Sequence, residues 1–280
     1  MSTPNKVEVI PFNECLRRNI DELLKKNNIL IPSGNGQVTD QLQLANRLTS
    51  STTEVWLNRF ITRDPLMMDL KSKVYKLAFV KDPVLIIGPT GTGKELIAHA
   101  LHGSNHGDFL PLNCAAFNEN LIESDLFGHV KGSFTGADKD HLGALRSSDN
   151  GTVYLDELDK MPPSIQAKLL RAIQEYEVRP VGSSRYYPIS CRFVCSSKVD
   201  LAILTSKGLF LEDLYARVST FELHTTSLIT RPDDIPLILE SLEIDINKYY
   251  PLPPQWQEKV DRFNVRALQS YKRTIEVLGL

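Results

Sequence analysis

The sequence predicts an α/β fold, a parallel sheet with helices on both faces, from three observations. Five short runs, "VLIIG", "FLPLNC", "TVYLDE", "CRFVCSS" and "STFELH", are rich in β-branched and aromatic residues. Helical patterns separate them, and such alternation is what parallel strands joined by crossover helices require. The first run also passes directly through a glycine-rich turn into an amphipathic stretch, "VLIIGPTGTGKELIAHAL".

Residues 1–63 read as a helical N-terminal region. "FNECLRRNIDELLKK" places Phe12, Cys15, Leu16, Ile20, Leu23 and Leu24 on one helical face. "QLQLANRLTSSTTEVWLNRF" sets Leu44, Ala45, Leu48 and Val55 at the spacing of a weak helix-turn-helix, with Arg47 and Arg59 able to reach phosphates. Thr49 stands where the turn favours glycine and Asn58 where an apolar residue is expected; short paired helices are commoner as packing elements than as groove readers. Residues 64–236 hold the five strands and form the α/β domain. Residues 237–280 read as helices broken by "PLPP".

The chain has 280 residues, 42% of them hydrophobic, enough to bury a core, which excludes a disordered or fibrous protein. With 32 basic and 34 acidic residues its net charge is -2, so any contact with nucleic acid or an anionic membrane is local. The start, "MSTPNKVEVIPF", lacks the order of a secretory signal, and no apolar run approaches about 18 residues, which predicts a cytoplasmic protein. Cys15, Cys114, Cys191 and Cys195 are spaced for neither zinc nor a disulfide framework, and small buried thiols are expected.

The chemistry concentrates in the turn after "VLII". Gly88, Gly91 and Gly93, with Pro89, Thr90 and Thr92 between them, let the backbone curl so that its N–H groups face an anion. Lys94 follows, placed to reach the β and γ phosphates of a nucleotide. Glu95 occupies the position where a hydroxyl usually serves magnesium, so the cation depends on a downstream carboxylate. "TVYLDELD" supplies it: Asp156 to hold the Mg2+ shell and Glu157 to orient or deprotonate the attacking water. His99, His102 and His106 share no spacing with a carboxylate or thiol, and a solvated helix face is expected rather than a metal site.

One further stretch, "ESDLFGHVKGSFTGADKDHLGAL", holds Phe134 between Gly132 and Gly136 in polar surroundings. Together with "GPTGTGKE", "LNCAA", "GTVYLDELDKMPPSIQAKLLRAIQE", "RPVGS" and "DLYAR", it resembles the AAA+ domain of the bacterial enhancer-binding proteins that activate sigma-54 RNA polymerase. The resemblance covers roughly residues 64–235. It implies a P-loop AAA+ fold, a small helical lid over residues 237–280, ATP and Mg2+ as cofactors, and ATPase activity. It also implies that Gly132, Ser133, Phe134, Thr135, Gly136 and Ala137 form a loop that rises to touch sigma-54. Asn113 would pair with Glu157, Arg217 would enter the neighbouring subunit's site, and Arg266 would sense nucleotide from the lid. The implied assembly is a homo-oligomer, by analogy a hexamer, or a hetero-oligomer with a related activator.

Several positions depart from that family: Leu211 replaces an arginine, Ser197 and Lys198 replace a Thr-Asn sensor, and Arg231 stands alone in "LITR". Two functions follow as expectations. The first is an ATP-hydrolysing transcriptional regulator that remodels sigma-54 holoenzyme. The second is a catalytically weakened ATP-binding regulator that modulates a related activator or binds DNA through its N-terminal helices.

Overall fold

A computed structural model describes residues 52–103, 107–115 and 119–278. The described residues open with α1 (Thr52–Arg59) and α2 (Pro65–Leu77), followed by β1 (Val84–Ile87), α3 (Lys94–His102), β2 (Phe109–Asn113), α4 (Glu119–Phe127), α5 (Ala144–Ser147) and β3 (Thr152–Asp156). Next come α6 (Pro163–Glu175), a two-stranded antiparallel ribbon of β4 (Glu177–Val178) and β5 (Tyr187–Pro188), β6 (Arg192–Ser197), α7 (Leu201–Ser206), α8 (Glu212–Val218) and β7 (Phe221–His224). The chain ends in α9 (Asp234–Ser241), α10 (Ile246–Tyr249), α11 (Pro254–Phe263) and α12 (Val265–Leu278).

All five expected strands form one parallel sheet in the order β2-β3-β6-β1-β7. Alternation along each strand divides the core between its two faces. Leu85 and Ile87 join Val153, Leu155, Phe193 and Cys195 beneath α4, α6 and α8. Val84 and Ile86 join Tyr154, Val194 and Leu223 beneath α1, α2 and α3. A third cluster, built on Ile235, Leu239, Trp256, Val260, Leu268 and Tyr271, holds the C-terminal helices together. Cys114, Cys191 and Cys195 are buried free thiols within the core; Cys15 lies outside the described residues.

Helix starts follow the expected chemistry. Asp64 caps α2 by accepting from the Met67 amide at 3.0 Å, with Pro65 at the first helical position. Arg192, at the start of β6, donates to Leu77 O and Leu101 O, the carbonyl ends of α2 and α3, where a cation is favoured.

One expectation lies mostly outside the described residues, and another meets a different outcome. Leu44, Ala45, Arg47, Leu48 and Thr49 of the helix-turn-helix pattern lie outside the described residues, and Val55 of the same pattern is 52% exposed. Leu57 and Phe60 are the buried apolar side chains among its described residues, packed in one core cluster with α2 and α3. His99 and His102 do not lie on a solvated face. The His99 ring stacks on Trp56 with centroids 4.0 Å apart and lies tilted against Phe109 at 3.9 Å, and His102 Nδ1 lies 3.0 Å from Thr152 Oγ1. Burial lowers the pKa of both rings. Spacing alone hid this, because Phe109 and Thr152 reach the helix from β2 and β3. His106 lies outside the described residues.

Lys71 of α2 is buried with its ammonium on Phe60 O at 3.1 Å, and burial pushes its pKa down to about 8. Between that value and its unfolded value near 10.4 the unfolded chain binds more protons, so stability from this group rises as pH climbs through the window. Lys71→Met is expected to remove that rise. In urea unfolding, the wild type should gain roughly 2 kcal/mol relative to the variant between pH 8 and 10.5. Parallel pH profiles for the two proteins would contradict the buried charge.

Candidate nucleotide site

The strand order places a topological switch beside β1, since the chain leaves it for β2 on one side and later returns to β7 on the other. Ligands of open α/β sheets sit at such a point, outside the carboxyl ends of the strands. A cavity of about 290 Å3 lies there, and its lining includes Arg59, Phe60, Thr90, Gly91, Thr92, Gly93, Lys94, Glu95, Asp156, Glu157, Lys198 and Arg266. Gly88 stands at the root of the loop, its N–H bonded to Ser197 O, and Pro89 O accepts from Thr92 Oγ1.

The loop's shape depends on its glycines. Gly91 has φ +76°, and a Cβ there would lie 2.1 Å from Phe263 O. Gly93, at φ +97°, begins α3, whose amide end faces the cavity. Lys94 is 8% exposed, and its ammonium donates to Gly88 O at 2.8 Å and Pro89 O at 2.9 Å. Burial lowers its pKa, opposed by the charge of Asp156. Among the described residues no carboxylate stands within ion-pair distance of it. A buried cation beside a helix amide end, held only by carbonyls, suits a phosphate group.

Asp156 ends β3 and is anchored through one oxygen. Its Oδ1 accepts from Tyr154 Oη at 3.1 Å, from the Glu157 amide at 3.0 Å and from Ser196 Oγ. Burial and the neighbouring carboxylate push the Tyr154 phenol up, which keeps it a donor. Oδ2 takes part in none of these bonds, which suits a magnesium ion shared with phosphates and water. No cluster of three His, Cys, Asp or Glu side chains able to hold a metal occurs among the described residues.

Glu157 follows in the left-handed region, φ +56° and ψ +45°, an uncommon conformation for a residue with a side chain. Its carboxylate pairs with Lys198, Nζ to Oε1 2.5 Å. Asn113, the partner that the resemblance implies, is engaged elsewhere in this structure. The Asn113 side-chain oxygen accepts from the Ala115 amide at 2.7 Å instead, while the cation after β6 offers Glu157 a stronger partner than an amide could. Arg217 is exposed in the last turn of α8 and does not line its own chain's cavity.

Asn264, which the sequence pattern did not single out, joins the C-terminal helices to the loop. It is 1% exposed; Nδ2 donates to Thr90 O at 3.0 Å, and Oδ1 accepts from Ser227 Oγ at 2.8 Å and Leu228 N at 2.7 Å. The Val265 amide bonds Gly91 O beside it. The signal available was a lone Asn between a helix and the arginine of "NVRAL".

The Gly132–Ala137 loop lies outside the cavity. The Gly132 amide bonds Ala137 O and the Ala137 amide bonds Phe134 O, closing a tight turn with Thr135 and Gly136 exposed and Ala137 buried. Gly132 and Gly136 have positive φ with open space around them, so backbone conformation rather than crowding selects glycine there. Phe134 does not stand clear in solvent. It is half-buried, edge-on to His129 with ring centroids 4.9 Å apart.

Known proteins match this architecture. The chain is 41% identical over 195 residues to the transcriptional regulatory protein GlrR of Escherichia coli (strain K12), covering 69% of this chain and 44% of that protein. It is 41% identical over 226 residues to the Nif-specific regulatory protein of Azospirillum brasilense, covering 80% and 34%. It therefore spans less than half the length of these relatives. A crystal structure of NtrX from Brucella abortus in complex with ATP has a similar fold, with a TM-score of 0.67 at 27% identity over 78% of this chain and 50% of that one. Residues 60–224 match the Sigma-54 interaction domain, and the chain belongs to that family, with the α/β fold of a P-loop AAA+ protein.

Proposed function

We propose that this chain binds and hydrolyses ATP with magnesium and, as a cytoplasmic subunit of a hexameric ring, remodels sigma-54 RNA polymerase holoenzyme through residues 132–137. The convergence of Lys94, Asp156 and Glu157 on one cavity bordered by Arg266 carries the reading. Lys94 and the loop amides would hold the phosphates; Asp156 would hold magnesium, which neutralises phosphate charge when bound; Glu157 would take the proton of the attacking water. The edge-on contact between Phe134 and His129 is worth only about 0.5–1.5 kcal/mol beyond area burial, so the aromatic is inexpensive to release toward a partner. Among the described residues no helix is long and apolar enough to cross a membrane.

Two measurements test this. Phosphate release per subunit should rise with protein concentration and vanish in Lys94→Ala. With sigma-54 holoenzyme, Thr135→Ala should keep ATP turnover and lose open-complex formation; normal activation by that variant would remove the loop from the mechanism. The Lys198–Glu157 pair favours a second reading, a weakly hydrolysing regulator that acts beside a related activator. Tight ATP binding with flat, negligible phosphate release at every protein concentration would select it.

A further inference from the structure

Among the charged side chains that line the cavity, Lys94, Lys198, Asp156 and Glu157 differ in how they are restrained. Lys94 is buried on two loop carbonyls, and Asp156 is fixed by three donors on one oxygen. Glu157 has Lys198 as its side-chain partner. Lys198 in turn has a fixed base and a long side chain whose end is held by Glu157. Its amide donates to Asp159 Oδ1 at 3.2 Å, an oxygen that also accepts from Ser197 Oγ at 3.2 Å, so the backbone leaving β6 is held. The Lys198 side chain is 36% exposed and reaches the cavity that Lys94 lines, close enough for its charge to act on Lys94. A flexible ammonium on a rigid base can exchange one anion for another without moving the strand beneath it.

We infer that Lys198 is a nucleotide-gated restraint on Glu157: without a terminal phosphate it holds the carboxylate, and a terminal phosphate draws the ammonium away and frees Glu157 to orient water. The inference rests on the proposed ATP site and makes Lys198 a positioning residue, acting through Glu157. A terminal phosphate carries more charge than the carboxylate and enters beside Lys94, so it competes for Lys198 at short range. ADP lacks that group and should leave the pair closed. The altered residue after β6 would thus delay hydrolysis until the γ-phosphate is seated, rather than silence the site.

The test is a double-mutant cycle on nucleotide affinity. Dissociation constants for Mg-ATPγS and Mg-ADP are measured for the wild type, Glu157→Gln, Lys198→Met and the double variant, with thermal melts confirming that each is folded. Glu157→Gln frees Lys198 in advance, so ATPγS affinity should rise about tenfold while ADP affinity changes less than about twofold. In the Lys198→Met background the same change should do nearly nothing, and Lys198→Arg should restore part of the effect. An equal ATPγS gain with and without Lys198 would mean that the carboxylate merely repels phosphate, and it would overturn the restraint. No gain in either background would overturn it as well. Failure of the folded wild type to bind either nucleotide would instead remove the ATP site on which the restraint depends.

Discussion

Arg217→Ala is expected to lower ATP turnover about 10^3-fold at protein concentrations that saturate assembly, while changing ATPγS affinity less than about twofold. Leu214 and Val218 bury the inner face of α8 against the sheet, leaving Arg217 on the outer face. A guanidinium so placed cannot serve its own phosphate loop, yet it is available to a neighbour's. An arginine supplied across an interface in nucleoside triphosphatases contributes about 10^3 to 10^5 in turnover, because it meets charge that develops only in the transition state. Mixing distinguishes this role from a structural one. A Lys94→Ala subunit has no working loop but an intact Arg217, and an Arg217→Ala subunit has the reverse. Their mixture should recover turnover that neither shows alone. Mixed rings without recovery, or loss of affinity in the isolated Arg217→Ala protein, would place the arginine elsewhere.

The second large effect concerns the contact between the C-terminal helices and the loop. Asn264→Ala should destabilise their docking by about 3 kcal/mol or more, since it strands the buried Leu228 amide and removes the donor to Thr90 O. Gly91→Ala attacks the same joint from the other side. At φ +76°, with a Cβ 2.1 Å from Phe263 O, alanine must push the turn before α12 away and break the bond from Val265 N to Gly91 O. Urea unfolding and ATPγS binding are the readouts, and both variants should lose about tenfold or more in affinity because Arg266 moves with the helix. Asn264→Asp separates the two halves of the contact. It keeps the acceptor for Ser227 and Leu228 and loses the donor to Thr90, so its loss should fall between those of the wild type and Asn264→Ala. Unchanged stability in Asn264→Ala would show that the helices dock through their apolar cluster alone.

Local chemistry was readable along the chain. A strand entering glycines and then lysine needs only neighbouring residues to make an anion site, and an apolar run ending in Asp156-Glu157 needs only to form a buried strand to bring both carboxylates to the sheet's end. The five strands followed from β-branched runs and the helices between them, because secondary structure is set over a few residues. The motifs that resemble the sigma-54 activators lie in these same local segments.

What the sequence by itself determined was therefore the sheet, the phosphate loop and the identity of the two acids; what only the tertiary structure decided was which distant side chain each of them meets. Lys198 reaches Glu157 because β6 lies beside β3 in the sheet, and no local pattern says whether its ammonium turns to a carboxylate or to phosphate. Asn264 bonds Thr90 across 174 residues, His99 is covered by Trp56 and Phe109, and Phe134 rests on His129. The physical reason is common to all four. Backbone conformation responds to nearby residues, whereas a polar or aromatic side chain takes the partner that desolvates with it, and that partner is chosen by how the layers pack.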